Sequence, residues 1–306
     1  MTLVNTLLPL FAVIAIGFAM VRLGQIDGAA VRPMGAVVIR VALPALVFLA
    51  VARMPLGQAV DVPFLLAYGA GSLATFAAMV AAARLVLGLG PVESAVVGLG
   101  AAMANSSFLG LPIAQALIGV DDAGLLLAHC VTVENLVVLP LALAMIARAQ
   151  ARTSQGGPVT GLLRNPLILA LMAGLSVSAT GLALPQVAEA TLALIARLAA
   201  PLALLVIGGM LATLPAEGRI GPVALLVTGK LVLHPLAVLA AVTLVPGVGP
   251  VLATGGVLFA AMPMITIFPL LAAQAGQGQL GAFGLLAGTV AGFATVPAAI
   301  ALLGLA

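Results

Sequence analysis

The sequence predicts an all-α polytopic membrane protein. It has ten transmembrane helices as two inverted five-helix repeats, with broken crossover helices in fourth and ninth place. Three observations predict this. The 306-residue chain is 64% hydrophobic and only 6% charged, against about a quarter charged in a soluble domain. Its apolar runs approach the length of roughly 20 residues that a helix needs to cross a bilayer. Its two halves carry prolines in register.

The first run, "MTLVNTLLPLFAVIAIGFAMVR", has no basic residue before Arg22 and no clear cleavage site, so it reads as a retained span over 2–21 rather than a signal peptide. Further apolar runs place spans at 34–52, 63–87, 92–118, 123–147, 165–183, 188–213, 220–245, 251–275 and 280–304. Barrel strands would be about half as long and would alternate in polarity, which excludes an outer-membrane barrel. The loops after odd-numbered spans hold Arg22, Arg32, Arg84, Arg148, Arg152, Arg164 and Arg219, whereas the even-numbered loops hold only Arg53. The bias predicts that the odd loops are cytoplasmic and that both termini are extracytoplasmic, in a multi-pass protein of the cell inner (plasma) membrane.

The longest loop lies near the middle of the chain. It divides a first repeat, 1–148, from a cytoplasmic linker, 149–164, and a second repeat, 165–306. A shift of 157 residues pairs Pro9 with Pro166, Pro44 with Pro201, Pro112 with Pro269 and Pro140 with Pro297. Four of the eight prolines of the first half align, where chance would align roughly one. Arg40 with Arg197, Gly17 with Gly174, Gly98 with Gly255, Gly119 with Gly276 and Thr132 with Thr289 follow the same shift. Five spans is an odd number, so the copies are inverted, the plan of secondary transporters.

In that plan the ligand site lies near the midplane, at broken helices in matching positions. The fourth span reads "AAMANSSFLGLPIAQALIG", with Asn105, Ser106, Ser107, Gly110 and Pro112; the ninth reads "FAAMPMITIFPLLAAQAG", with Pro263, Thr266 and Pro269. Proline removes a backbone donor and clashes with the preceding turn. Open backbone at this depth is tolerated only where it is buried in protein or lines a cavity. Two half-helix N-termini converging there would favour an anion.

The segment "NSSFLGLPIAQALIG" resembles the Asn-x-x-x-x-Gly-Leu-Pro motif of the auxin efflux carrier family, the bacterial relatives of the plant PIN-FORMED carriers. "VALPALVFLAV", "RNPLILALMAGL" and "APLALLVIGGML" resemble that family's second, sixth and seventh helices. The resemblance spans the chain and is shared with the wider bile-acid/sodium symporter-like superfamily. It implies a scaffold of helices 1, 2, 6 and 7, a likeness to dimeric carriers, and a transport domain of helices 3–5 and 8–10. It also implies a small organic anion as substrate, such as auxin, malonate or malate. Ser106 and Ser107 stand where many relatives carry further Asn or Gly, and the long cytoplasmic loop of the large plant carriers is missing.

Ionisable groups within spans are costly and are functional candidates. Glu134, beside Asn135, is the candidate ligand of a proton or Na⁺. His129 is a candidate proton acceptor, with a hydrogen-bonded structural role as the alternative. Lys230 either attracts a carboxylate or snorkels towards the cytoplasmic surface. His234 precedes Pro235 and reads as packing. Arg40 and Arg197 read either as an anion-attracting pair or as groups that cap broken backbone at a seam, the structural role being expected. Thr266 and Thr289 lie near the crossover, where Thr often bonds its own backbone.

Other classes find little support. There is no phosphate-binding loop, no His-Glu-x-x-His and no Cys/His cluster, so neither enzyme chemistry nor a resident cofactor is expected. The net charge of +3 is spread out, which argues against nucleic acid. Cys130 reads as a small core residue. Gly208-Gly209 and Gly255-Gly256 read as close helix packing. The function expected is elevator-type transport of a small organic anion bound where helices four and nine cross. The alternative is a Na⁺- or proton-coupled symporter of the bile-acid-carrier type with Glu134 as ion ligand.

Overall fold

The computed structural model describes residues 3–53, 61–151, 166–181, 183–213 and 219–305. Most of the expected linker, with Arg152 and Arg164, lies outside the described residues. Within them every element is helical, and six helices are long and apolar enough to cross a membrane.

The chain opens with α1 (Leu3–Arg22) and α2, which runs from Gly28–Val37 through a wide turn at Val38–Ala42 into Leu43–Ala52. Next come α3 (Val62–Leu85), α4 (Pro91–Ala102) and, past a break, α5 (Leu111–Ile118). The helix α6 joins Val120–Val133, a wide turn at Glu134–Val138, and Leu139–Ala151. Then follow α7 (Pro166–Thr180), α8 (Gln186–Arg197) and α9 (Ala199–Thr213). The helix α10 joins Ile220–Thr228, a wide turn at Gly229–Leu233, and His234–Leu244. Past it are α11 (Pro250–Ala260), a second break, α12 (Phe268–Gln274) and α13 (Gly278–Leu302).

Two helix starts differ from the sequence expectation. The second span begins at Gly28 rather than 34, because the Asp27 carboxylate accepts the Ala29 N–H at 2.9 Å and caps the helix early. Arg32 therefore lies on a helix, not in a loop. Asp121 and Asp122, which read in the sequence as a short solvated outer loop, fall within the helix α6.

Each wide turn is wound with i→i+5 bonds and ends two residues before a proline. Leu43, Leu111, Leu139 and His234 donate to Val38, Ser106, Glu134 and Gly229, and are followed by Pro44, Pro112, Pro140 and Pro235. A proline ring clashes with the carbonyl four residues back, and widening the preceding turn relieves that clash while keeping its carbonyls bonded.

The helices pack in two groups. Along one, α1 lies against α9, and α2 lies against α7, α8 and α9; in the other, α3 packs on α4 and α10, and α12 on α13. The groups meet where α9 touches α12 and α13. In the first group a side chain at Gly208 would run into the backbone of α1, at the Ile14 carbonyl and the Phe18 nitrogen. Gly255 and Gly256 similarly admit the side chains of Leu126 and Phe64.

Because backbone cannot move aside as a side-chain tip can, Gly208→Ala should force α1 from α9 and cost about 1–3 kcal/mol. Gly124→Ala, on α6 with open space around it, should be neutral or stabilising by up to about 1 kcal/mol. Thermal unfolding of the two purified variants tests the packing; equal melting temperatures would contradict it.

Candidate functional site

The two breaks cross each other. Between α4 and α5 the backbone turns extended at Met103 and is held by an antiparallel bridge from Ala104 to Met264. Asn105 N–H donates to the Pro263 carbonyl at 2.8 Å, and Ile265 N–H reaches the Met103 carbonyl at 3.4 Å. The Asn105 amide donates to the Thr266 hydroxyl at 2.9 Å, tying the side chains as well. Asn105 and Thr266 are both buried, at 3% and 2% exposure. The starts of the helical segments at Ser106 and Phe268 carry no side-chain cap. At the second, Phe268 N–H already bonds the Ile265 carbonyl, Pro269 has no N–H and Leu270 N–H bonds the Ile267 carbonyl, so that end presents its dipole rather than open donors.

Buried charges lie on either side of this bridge. Glu134 Oε1 accepts from Ser106 Oγ at 2.9 Å, Tyr68 Oη at 3.1 Å and the Ala104 N–H at 3.2 Å. On the other side Lys230 Nζ donates to the Ala260 carbonyl at 2.8 Å and to His234 Nδ1 at 2.7 Å. An ammonium has no lone pair, so His234 accepts at Nδ1 and its Nε2–H faces Ser72 Oγ, 3.1 Å away. Both described ion pairs, Arg53–Glu189 and Arg219–Glu93, lie elsewhere.

The crossover thus gathers Asn105, Ser106, Pro263, Thr266 and Glu134, with Pro269 buried at the start of α12. Gly110 is buried where a side chain would press on Phe259. Ser107 and Pro112 are exposed beside it, and Asn135 is half-buried. Lys230 is fully buried and reaches neither surface. His129 stands apart: Nε2 accepts the Asp61 N–H at 3.0 Å, so Nδ1 carries the proton that bonds the Leu125 carbonyl at 2.8 Å. Thr289 donates to its own helix at Leu285. Cys130 is a buried free thiol. Tyr68 and Ser72 were missed in the sequence. The signal for Tyr68 was available: it is the one tyrosine of the chain, set in an apolar span where its hydroxyl must find a partner.

A small cavity of about 10 Å³ touches Asn105, Thr266 and Thr289 on one side and Ile14 of α1 and Leu204 of α9 on the other. That is near the space of one water, so the crossover is shut against the first helix group. The far end of the Asn105 amide, Oδ1, is buried with no hydrogen-bond partner. Since a threonine hydroxyl can donate or accept, turning the amide over would keep the Thr266 bond and leave an NH₂ group free instead.

Residues 2–300 match the model of a family described as "Membrane transport protein". The chain is also similar to a "Putative malonate transporter" of Rhizobium meliloti (strain 1021). The two are 27% identical over 277 residues, covering 89% of this chain and 86% of that relative.

Thr266→Val should cost about 1–3 kcal/mol, because it strands the buried Asn105 amide. In a double-mutant cycle with Asn105→Ala, the two changes should couple by about 1 kcal/mol. Thermal unfolding of the three variants measures this. Additive losses would mean that the pair is not joined as described.

Proposed function

The chain belongs to the membrane transport protein family, the auxin efflux carriers, and on that premise we propose that it is a secondary transporter of a small organic anion. The observation that carries this reading is the crossover itself. Two helix N-termini without side-chain caps and a half-satisfied asparagine amide converge there, beside the buried Glu134. Such a site offers positive dipole ends and the asparagine amide to a carboxylate while excluding water. Malonate is the leading candidate substrate, since a relative bears that name.

The proposed architecture is ten spans in two inverted repeats. In support, the breaks at 103–110 and 261–267 lie about one 157-residue shift apart. The proposed scaffold is α1, α2 and α7–α9, through which two copies pair. The remaining helices form the transport domain and slide against it. The small cavity at Asn105 cannot hold a dicarboxylate, so substrate entry requires that these groups separate. The arginine bias supports an inner-membrane orientation with cytoplasmic odd loops and both termini outside.

A second reading adds a coupling ion. Glu134 bonds both the backbone and the Ser106 hydroxyl of the first break, so a proton or Na⁺ arriving at this carboxylate would act directly on the site. His129, with both ring nitrogens bonded to Asp61 and Leu125, is the weaker candidate.

In proteoliposomes, Asn105→Ala should lower malonate transport by about 10- to 100-fold, the loss of one or two buried hydrogen bonds, while the protein remains folded. Transport at the wild-type rate would remove the crossover as the site. For the second reading, Glu134→Gln should abolish the response to an imposed Na⁺ or pH gradient. A wild-type protein indifferent to both gradients leaves uniport.

A further inference from the structure

A larger cavity, about 630 Å³, lies away from the crossover between α2, α9 and the end of α12. It is lined by every third or fourth residue of α2 from Gly28 to Arg40, which is one face of a helix. Small residues on that face, Gly35 and Ala36, leave the space; Arg32 and Arg40 charge it. Opposite stand Thr213 at the end of α9 and Gln274 at the end of α12. No Asp or Glu is among the described lining residues.

Arg40 is the informative member. It lies twelve residues past Gly28 on α2, about 18 Å along the helix axis and mid-way through an apolar span. A guanidinium at that depth is costly unless it faces a partner or a water-filled space. Among the described residues the acidic side chains that form ion pairs, Glu93 and Glu189, are taken by Arg219 and Arg53. Arg40 lines the cavity and is exposed rather than buried, so this space is where its guanidinium can meet water or an anion. Its mouth lies at the start of α2, the end of α9 and the α12–α13 turn. Its inner wall includes Val206 and Leu270, two and four residues along the chain from Leu204 and Thr266, which line the crossover cavity.

We propose that this cavity is an anion vestibule: a second carboxylate site in which Arg40, with Arg32 nearer the mouth and the Gln274 amide opposite, collects a small dicarboxylate and delivers it to the crossover. It rests on the anion reading above. Arg32 and Arg40 belong to one helix group and Gln274 to the other, so the site is complete only in conformations that bring these groups together. It serves one side of the membrane, the side of the odd-numbered loops. The attraction is electrostatic and weakens with added salt.

The test is chemical protection of the purified wild-type protein. A vicinal dicarbonyl such as phenylglyoxal modifies arginines, and peptide mass spectrometry reads each site. Malonate should slow modification of Arg40 several-fold, and less so at high ionic strength, while Arg197, exposed on α8, reacts unchanged. The same protection should persist in Asn105→Ala. In proteoliposomes, Arg40→Gln should raise the malonate half-saturation from the cavity side by about tenfold, leave the saturating rate and the opposite side unchanged, and be partly rescued by Arg40→Lys. Equal modification of Arg40 with and without malonate overturns the vestibule. If Arg40 is protected but Asn105→Ala transports normally, the vestibule stands and the crossover reading fails. If Asn105→Ala is inactive and Arg40 is unprotected, the vestibule alone fails.

Discussion

Breaking a helix inside an apolar protein strands N–H and C=O groups that no solvent can satisfy, each at a cost of several kcal/mol. Neither break at the crossover could persist by itself. Each supplies the other's partner: Asn105 N–H finds the Pro263 carbonyl, and Ile265 N–H finds that of Met103. The backbone groups left over recruit charge. Ala104 N–H, at the start of the second half of one broken helix, meets the Glu134 carboxylate. The Ala260 carbonyl, at the end of the first half of the other, meets the Lys230 ammonium. Each sign matches the helix end it faces. Opposite charges at 2% and 0% exposure then bring a formally neutral pair into the interior, Glu134 held by a backbone N–H and two hydroxyls and Lys230 by a backbone carbonyl and an imidazole.

The wide turns connect this arrangement to the prolines. Three mid-span charges, Arg40, Glu134 and Lys230, each fall within such a turn, and the fourth wide turn is Ser106–Gly110 at the break. A wide turn rotates the residues before it relative to those after it, so one helix can present its apolar stripe to lipid and a polar group inward. Turns of this kind often coincide with functional sites. Here the cause is local and visible in the chain: a proline two residues beyond the turn.

That locality explains what could be read from sequence. Helix breakers in an apolar run, repeated at a fixed shift, pointed to Asn105 and Thr266 before any coordinates, because proline acts on its own preceding turn. Helix starts were less legible: one carboxylate at Asp27 moved the second span six residues, from 34 to 28. The partners of the buried charges were not legible. Tyr68 meets Glu134 across 66 positions and Ser72 meets His234 across 162; no periodicity encodes such pairings. His129 fits the same pattern, since its environment is set by Asp61, 68 positions away.

The two cavities express one division of charge. At the crossover, Glu134 accepts three hydrogen bonds and Lys230 makes two, and the cavity is about 10 Å³. In the larger cavity the guanidiniums of Arg32 and Arg40 face open volume with no acid in the described lining. On the proposed reading this ordering suits a carrier. A strong, unpaired cation at the binding site would hold a dianion too tightly to release it, whereas helix ends and an amide bind it through partial charges. Full positive charge is better placed a turn or more away, where it raises the local concentration of substrate without trapping it. Both spaces lie where the two helix groups meet, near the contact of α9 with α12 and α13, so on the proposed reading a displacement of one group against the other would change both.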